Sequence, residues 1–137
     1  MSSTSAHRAA TVIAAATAGL LGWLGLRAAG ADLVADTTTV GAADVVVASL
    51  FAGAAAWVTV SLLGRYASRP RTAWVLLSTT VLSVSMLGPT YSAPALTAVA
   101  LMGLHFVVGG VLVGGFASTL TYPCSVAESQ EDGVVVR

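Results

Sequence analysis

Lysine is absent from this chain, cysteine occurs once, and charged residues make up only 9% of its 137 positions. The lone Cys124 excludes an intrachain disulfide, a paired-thiol redox motif and a thiolate zinc site. The two histidines, His7 and His105, lie far apart in the chain and offer no metal-ligand spacing. No glycine-rich strand-to-helix loop is present to cradle a phosphate. Neither a metal nor a cofactor is therefore expected. The formal net charge is zero, so no basic surface for nucleic acid is available. A soluble domain carries about a quarter charged residues, and a water-facing surface cannot be assembled from this inventory.

What is present is apolar sequence in long blocks. Hydrophobic residues make up 56% of the chain and the mean hydropathy is +0.87. Four runs, at about 9–26, 43–63, 72–87 and 94–116, approach or exceed the length that crosses a hydrocarbon core at about 1.5 Å per helical residue. The expected fold is all-α: an integral membrane four-helix bundle over residues 1–117, followed by a mobile polar tail at 118–137. A competing reading takes the first run as a cleaved signal peptide with Arg8 as its positive end. The run exceeds the usual signal core of about 7–15 residues and carries Trp23 near its far end, as interfacial anchors do.

The connections are short and unlike one another. Residues 27–43 hold Asp32, Asp36 and three consecutive threonines, and read as an interfacial loop or a short surface helix. Residues 64–71 form a compact basic loop with Arg65, Arg69 and Arg71. Gly88 and Pro89 close the third run, and Pro94 suits the first turn of the fourth. Placing Arg8 and the basic loop on the cytoplasmic side satisfies the positive-inside rule, so both termini are expected in the cytoplasm of a multi-pass cell-membrane protein.

Within lipid, helices associate through close packing and polar contacts. Three rows of small residues suit that: Ala15, Gly19, Gly22 and Gly25; Ala48, Ala52 and Ala56; and Gly110 with Gly114, continued by Ser118. Internal packing is the first reading of the Gly110/Gly114 pair, and a homodimer the second.

Few polar groups could carry chemistry. His105 is the one ionisable residue deep in an apolar run, and such residues are functional candidates by default. Its alternative role is structural, hydrogen-bonded to a serine or threonine of the third run. Ser78 and Ser85 share one side of that run and either line a cavity or bond back to their own helix. Asp44, at the start of the second run, either caps its helix or acts as a partly buried acid toward a membrane-dissolved substrate. At about 16 Å down its helix, His105 is too deep to meet Asp44. A small multidrug-type exchanger needs a carboxylate inside a span, and a vitamin K reductase-like enzyme needs paired cysteines. Both are missing.

The segments Arg-Pro-Arg-Thr-Ala-Trp from Arg69, Ser-Met-Leu-Gly-Pro from Ser85, and Ala-Leu-Met-Gly-Leu-His-Phe-Val-Val-Gly-Gly-Val-Leu from Ala100 resemble a family of small four-span proteins of high-GC Gram-positive bacteria, catalogued as a domain of unknown function. Gly30-Ala31-Asp32 and Arg65 also fit it. That family usually has methionine directly before its histidine, where this chain has Leu104. The resemblance implies the four-span fold and places His105 and Gly88-Pro89 in a shared pattern, with no activity attached. A fainter likeness is to small integral-membrane terpene cyclases, which are short, multi-span and lack aspartate-rich metal motifs. It implies Asp44, Asp32 or Asp36 as the initiating acid, with Trp23, Trp57 or Tyr91 stabilising cations.

Three functions follow as expectations. The first is a protein that binds or organises a hydrophobic partner in the lipid bilayer, with an isoprenoid or lipid ligand in view. The second is a cyclase of a prenylated substrate, and the third a proton-coupled transporter. A pocket in the aspartate-bearing half of the bundle separates the first two, because a solid interior would exclude the enzyme.

Overall fold

The computed structural model describes residues 3–31, 33–35, 38–92 and 94–120. It is built from α1 (Ser3–Ala28), a short antiparallel hairpin of β1 (Val34–Ala35) and β2 (Thr38–Thr39), α2 (Ala42–Tyr66), α3 (Pro70–Ser85), α4 (Leu87–Ser92) and α5 (Ala95–Ala117). Four helices are long and apolar enough to cross a membrane, with α3 and the start of α4 counting as one segment, Pro70–Pro89.

The helix ends follow from local chemistry. At the end of α1, Gly30 takes a positive φ of 79°; Gly30 N–H bonds to Arg27 O and Ala31 N–H to Leu26 O, the paired bonds of a Schellman motif. Pro70 opens α3 at its first turn, where the missing N–H costs nothing. Pro89 has no N–H to offer the Ser85 carbonyl four residues earlier, and α3 stops at Ser85. Gly88 and Pro89, expected to close the third run, instead lie within α4, which carries the helical path past them.

The 27–43 connection is neither plain loop nor surface helix. It forms the hairpin, with Val34 opposite Thr39 and Ala35 opposite Thr38, closed by Val40 N–H to Leu33 O at 2.8 Å. The fully buried Leu33 holds it down, and Trp23 Nε1 donates to Val40 O at 2.9 Å, tying its exit to α1. The expected tail lies outside the described residues beyond Leu120.

α1 is the most embracing element, packed at length on both α2 and α5; α3 packs chiefly on α5 and less on α2. Buried positions repeat at helical spacing: Thr11, Ala15 and Gly19 on α1, Val45, Ser49, Gly53, Ala56 and Val60 on α2. A side chain at Gly19 would crowd Val108, Ser49 and Val45; one at Gly22 would meet Leu104, and one at Gly53 would run into Val12. The row Ala15, Gly19 and Gly22 therefore packs as expected, whereas Gly25 faces open space. On α2 the buried row runs one position out of phase with the expected one: Ala56 is buried, but Ala48 and Ala52 are exposed.

On α5 the glycines divide sharply. Gly109 seats Leu82 of α3 and Gly115 seats Thr11 of α1, while Gly110 and Gly114 have nothing within 4 Å of a Cβ placed on them. The first reading of Gly110 and Gly114, as internal packing, is thus corrected: the contacts belong to their neighbours. At the end of the bundle where α1 begins and α5 ends, Arg8 Nη1 donates to Ser61 Oγ at 3.0 Å and Arg8 Nε to Thr119 Oγ1 at 3.4 Å. His7 Nε2 meets Ser118 Oγ at 3.1 Å there; Ser118 gives its own hydrogen to Gly115 O, so the imidazole is the donor.

The divided glycines give a direct check. Gly115→Ala drives a methyl into Thr11 and should destabilise the monomer by about 1–3 kcal/mol. Gly114→Ala and Gly110→Ala should be neutral or stabilising by about 0.5–1 kcal/mol, because alanine suits a helix better. Thermal unfolding of the three variants in detergent micelles distinguishes the two outcomes.

Candidate functional site

α2, α3 and α5 enclose a groove of about 620 Å³. Its walls are overwhelmingly apolar, including Val45, Ala52 and Ala56 from α2, Leu77, Val81 and Leu82 from α3, and Leu101, Val108 and Leu112 from α5. Ala48, Ala52, Leu77 and Val81 line the groove and yet are exposed, so it opens sideways between α2 and α3. Both its size and its lining are those of a site for a small apolar molecule.

One closed end makes the groove possible. Trp74 is the only buried residue of α3 among those described. Its indole stacks obliquely on Phe116, with ring centroids 5.8 Å apart at 58°, and its Nε1 donates to Val113 O at 3.1 Å. This pins the start of α3 to the end of α5 over a core of Ala15, Ala56, Val60, Leu112, Phe116 and Leu120. Trp74 stands in the segment quoted for the family resemblance, but its anchoring role went unread. A tryptophan one turn into a helix, beside a basic loop, looks like an interfacial residue from sequence alone.

The polar residues of the lining are Asp44, Ser49, Thr59, Ser78, Ser85 and His105. Three of them are consumed locally. Ser49 donates to Val45 O, Thr59 to Ala55 O, and Ser78 to Trp74 O, each closing on its own helix four residues back. Ser83 and Thr80, on the same helix as Ser78, do likewise. His105 also turns inward on its helix, with Nδ1 against Leu101 O at 2.8 Å. The expected bond from His105 to a serine or threonine of α3 is absent among the described residues: Ser78, Thr80 and Ser83 meet their own carbonyls first, and Ser85 makes no bond to it.

Asp44 sits in the first turn of α2 with an exposed side chain, and its Oδ2 accepts the Gly41 N–H at 2.8 Å. That is a helix-start capping contact. No hydrogen bond or ion pair joins it to His105 among the described residues. The groove therefore gathers Asp44, His105, Ser78 and Ser85 along one surface. It leaves out the three aromatics: Trp23 is engaged with the hairpin, Trp57 packs against the core, and Tyr91 on α4 is exposed. Asp32 and Asp36 lie outside the described residues. No cluster of three metal-binding side chains occurs among those described.

A family model described as a family of unknown function, DUF6069, matches residues 1–122. The chain belongs to that family. No curated protein and no solved structure matches it. Membership thus extends over all four long helices and all three walls of the groove, and the family's description carries no activity to transfer to them.

The anchor can be tested by truncation. Trp74→Phe keeps the ring and loses the bond to Val113, and should cost about 1 kcal/mol. Trp74→Ala also removes the ring and should cost about 3–5 kcal/mol. Thermal unfolding in detergent reads both, and equal losses would place the anchor's strength in the N–H alone.

Proposed function

We propose that this chain is a multi-pass membrane protein that holds a hydrophobic ligand, a lipid or isoprenoid, in the groove between α2, α3 and α5, without transforming it. The observation that carries this reading is the groove: about 620 Å³, almost wholly apolar, open toward the side and closed at one end by Trp74. A molecule dissolved in the bilayer would enter without crossing water. Exposed alanines on the α2 wall leave room for it.

The cyclase remains the second reading, because Asp44 does reach the lining of the groove. It ranks below simple binding on the geometry of that residue. An initiating acid must hand a proton to the substrate, and Asp44 instead receives one hydrogen bond from Gly41 N–H on an exposed helix end. Trp23, Trp57 and Tyr91, the aromatics expected to stabilise a cation, lie outside the groove, and Trp74, which lines it, is engaged with Phe116 and Val113 O. Transport of protons needs a continuous polar path, and three of the groove's hydroxyls are committed to their own helices.

Orientation is part of the proposal. Arg8, Arg65, Arg69 and Arg71 stand at the end of the bundle where α1 begins and α5 ends, and Arg27 stands at the hairpin end. The positive-inside rule assigns the first end to the cytoplasm.

Two experiments test these statements. A lipid carrying a photoreactive diazirine on its chain, incorporated into phosphatidylcholine vesicles with the protein, should label groove residues of α2, α3 and α5. Ala52→Trp should remove most of that labelling, while Val58→Trp, on an exposed position outside the groove, should leave it intact. For orientation, cysteine placed at Ser68 should be shielded from a membrane-impermeant thiol reagent in intact cells, and cysteine placed at Thr38 should react. The reverse pattern would invert the topology.

A further inference from the structure

His105 presents an unmet hydrogen-bond acceptor to the groove, and that acceptor constrains what the groove holds. A carbonyl oxygen can only accept, so the hydrogen shared between His105 and Leu101 O belongs to Nδ1. With that hydrogen on Nδ1, Nε2 is the ring nitrogen left to accept. No partner for Nε2 occurs among the described residues, and no buried side-chain nitrogen or oxygen lacks a partner there. For the half-buried His105 both statements hold only if Nε2 is accessible, and the open space beside His105 is the groove.

Among the described residues no side chain donates a hydrogen to the Nε2 lone pair. Ser49, Thr59 and Ser78 have each given their single hydrogen to a backbone carbonyl. Ser85, at the end of α3 that faces this part of α5, is the one groove hydroxyl with no hydrogen bond among the described residues, and it makes none to His105. The position also limits the ligand. His105 is the eleventh residue of α5, about 15 Å from the helix start and near the middle of a hydrocarbon core about 30 Å thick. A phospholipid headgroup does not reach that depth. A hydroxyl does, and it would otherwise forfeit a few kcal/mol in an apolar surrounding.

We infer that the ligand of the groove is a neutral lipid bearing a hydroxyl, a long-chain or prenyl alcohol, whose O–H donates to Nε2 of His105 while its hydrocarbon body lies along α2 and α3. This rests on the reading of the groove as a ligand site, and the two statements can fail separately. The decisive comparison uses the full chain in lipid nanodiscs with two diazirine probes of equal length. One is a long-chain alcohol and the other its methyl ether, which has no hydrogen to donate. The wild type should take up the alcohol about tenfold better than the ether. In His105→Phe that preference should vanish while labelling by the ether persists.

In the wild type itself, the alcohol and not the ether should shift the 15N resonance of Nε2 and leave Nδ1 nearly unmoved. This reading needs no variant to fold. Equal labelling by alcohol and ether, a preference retained in His105→Phe, or an unmoved Nε2 resonance each overturns the hydroxyl assignment and leaves the groove standing. Absence of groove labelling by both probes overturns the groove as a ligand site, and the hydroxyl assignment with it.

Discussion

The close approach of α1 to its two neighbours is the constraint on which the rest of this bundle depends. Apolar side chains gain nothing by leaving lipid for one another, so helices in a bilayer hold together where their surfaces fit closely. Gly19, Gly22, Gly53 and Gly115 supply that fit, each accepting a side chain from the facing helix. α2 and α5 both turn their small faces to α1 and consequently have little contact with each other. α3 must then complete the bundle from outside. Gly109 lets Leu82 in and Trp74 fixes one end, but the α2 side is only partly covered. The groove is what remains of that incomplete closure.

How much of this could be read from the chain depends on the kind of information involved. Four long helices were legible because apolar runs of membrane length, bounded by Gly30, Pro70 and Pro94, leave few alternatives. Which residues of a run face inward was far less legible. Ala48, Ala52 and Ala56 make as good a small-residue row as Val45, Ser49, Gly53 and Ala56, and a uniformly apolar helix gives no amphipathic signal to choose between them. The same ambiguity explains Gly110 and Gly114: their spacing is that of a packing motif, but the adjacent Gly109 and Gly115 meet the neighbouring helices. The hairpin was invisible for another reason. Its strands are two residues each, too short for any alternation, and it is held by Leu33 and by a bond from Trp23 seventeen residues away.

The candidate site was legible by composition, and so were the back-bond of Ser78 and the capping contact of Asp44; the bond from His105 to α3 was misread. His105, Asp44, Ser78 and Ser85 stood out because polar groups are scarce in such a chain, and all four do line one groove. Their bonds, however, are local. A hydroxyl or imidazole on a helix has a carbonyl four residues back within reach at almost no entropic cost, whereas a partner on another helix requires both backbones to be placed correctly. Ser49, Thr59, Ser78 and His105 all take the near partner. The separation of His105 from Asp44 was legible from the 1.5 Å rise, and no bond joins them among the described residues.

Local satisfaction has an asymmetry that bears on function. A serine that bonds back to its helix spends its only hydrogen, and what it shows the groove is a weak acceptor. An imidazole that does the same spends one nitrogen and keeps the other, which is a strong acceptor aimed away from its own backbone. A groove lined by such groups is rich in lone pairs and poor in hydrogens. As the proposed ligand site, such a groove would favour molecules that bring an O–H over carbonyl, ether and phosphate oxygens, which bring only lone pairs. The polar character of the site is therefore set less by which residues line it than by where the helices have already spent their hydrogens.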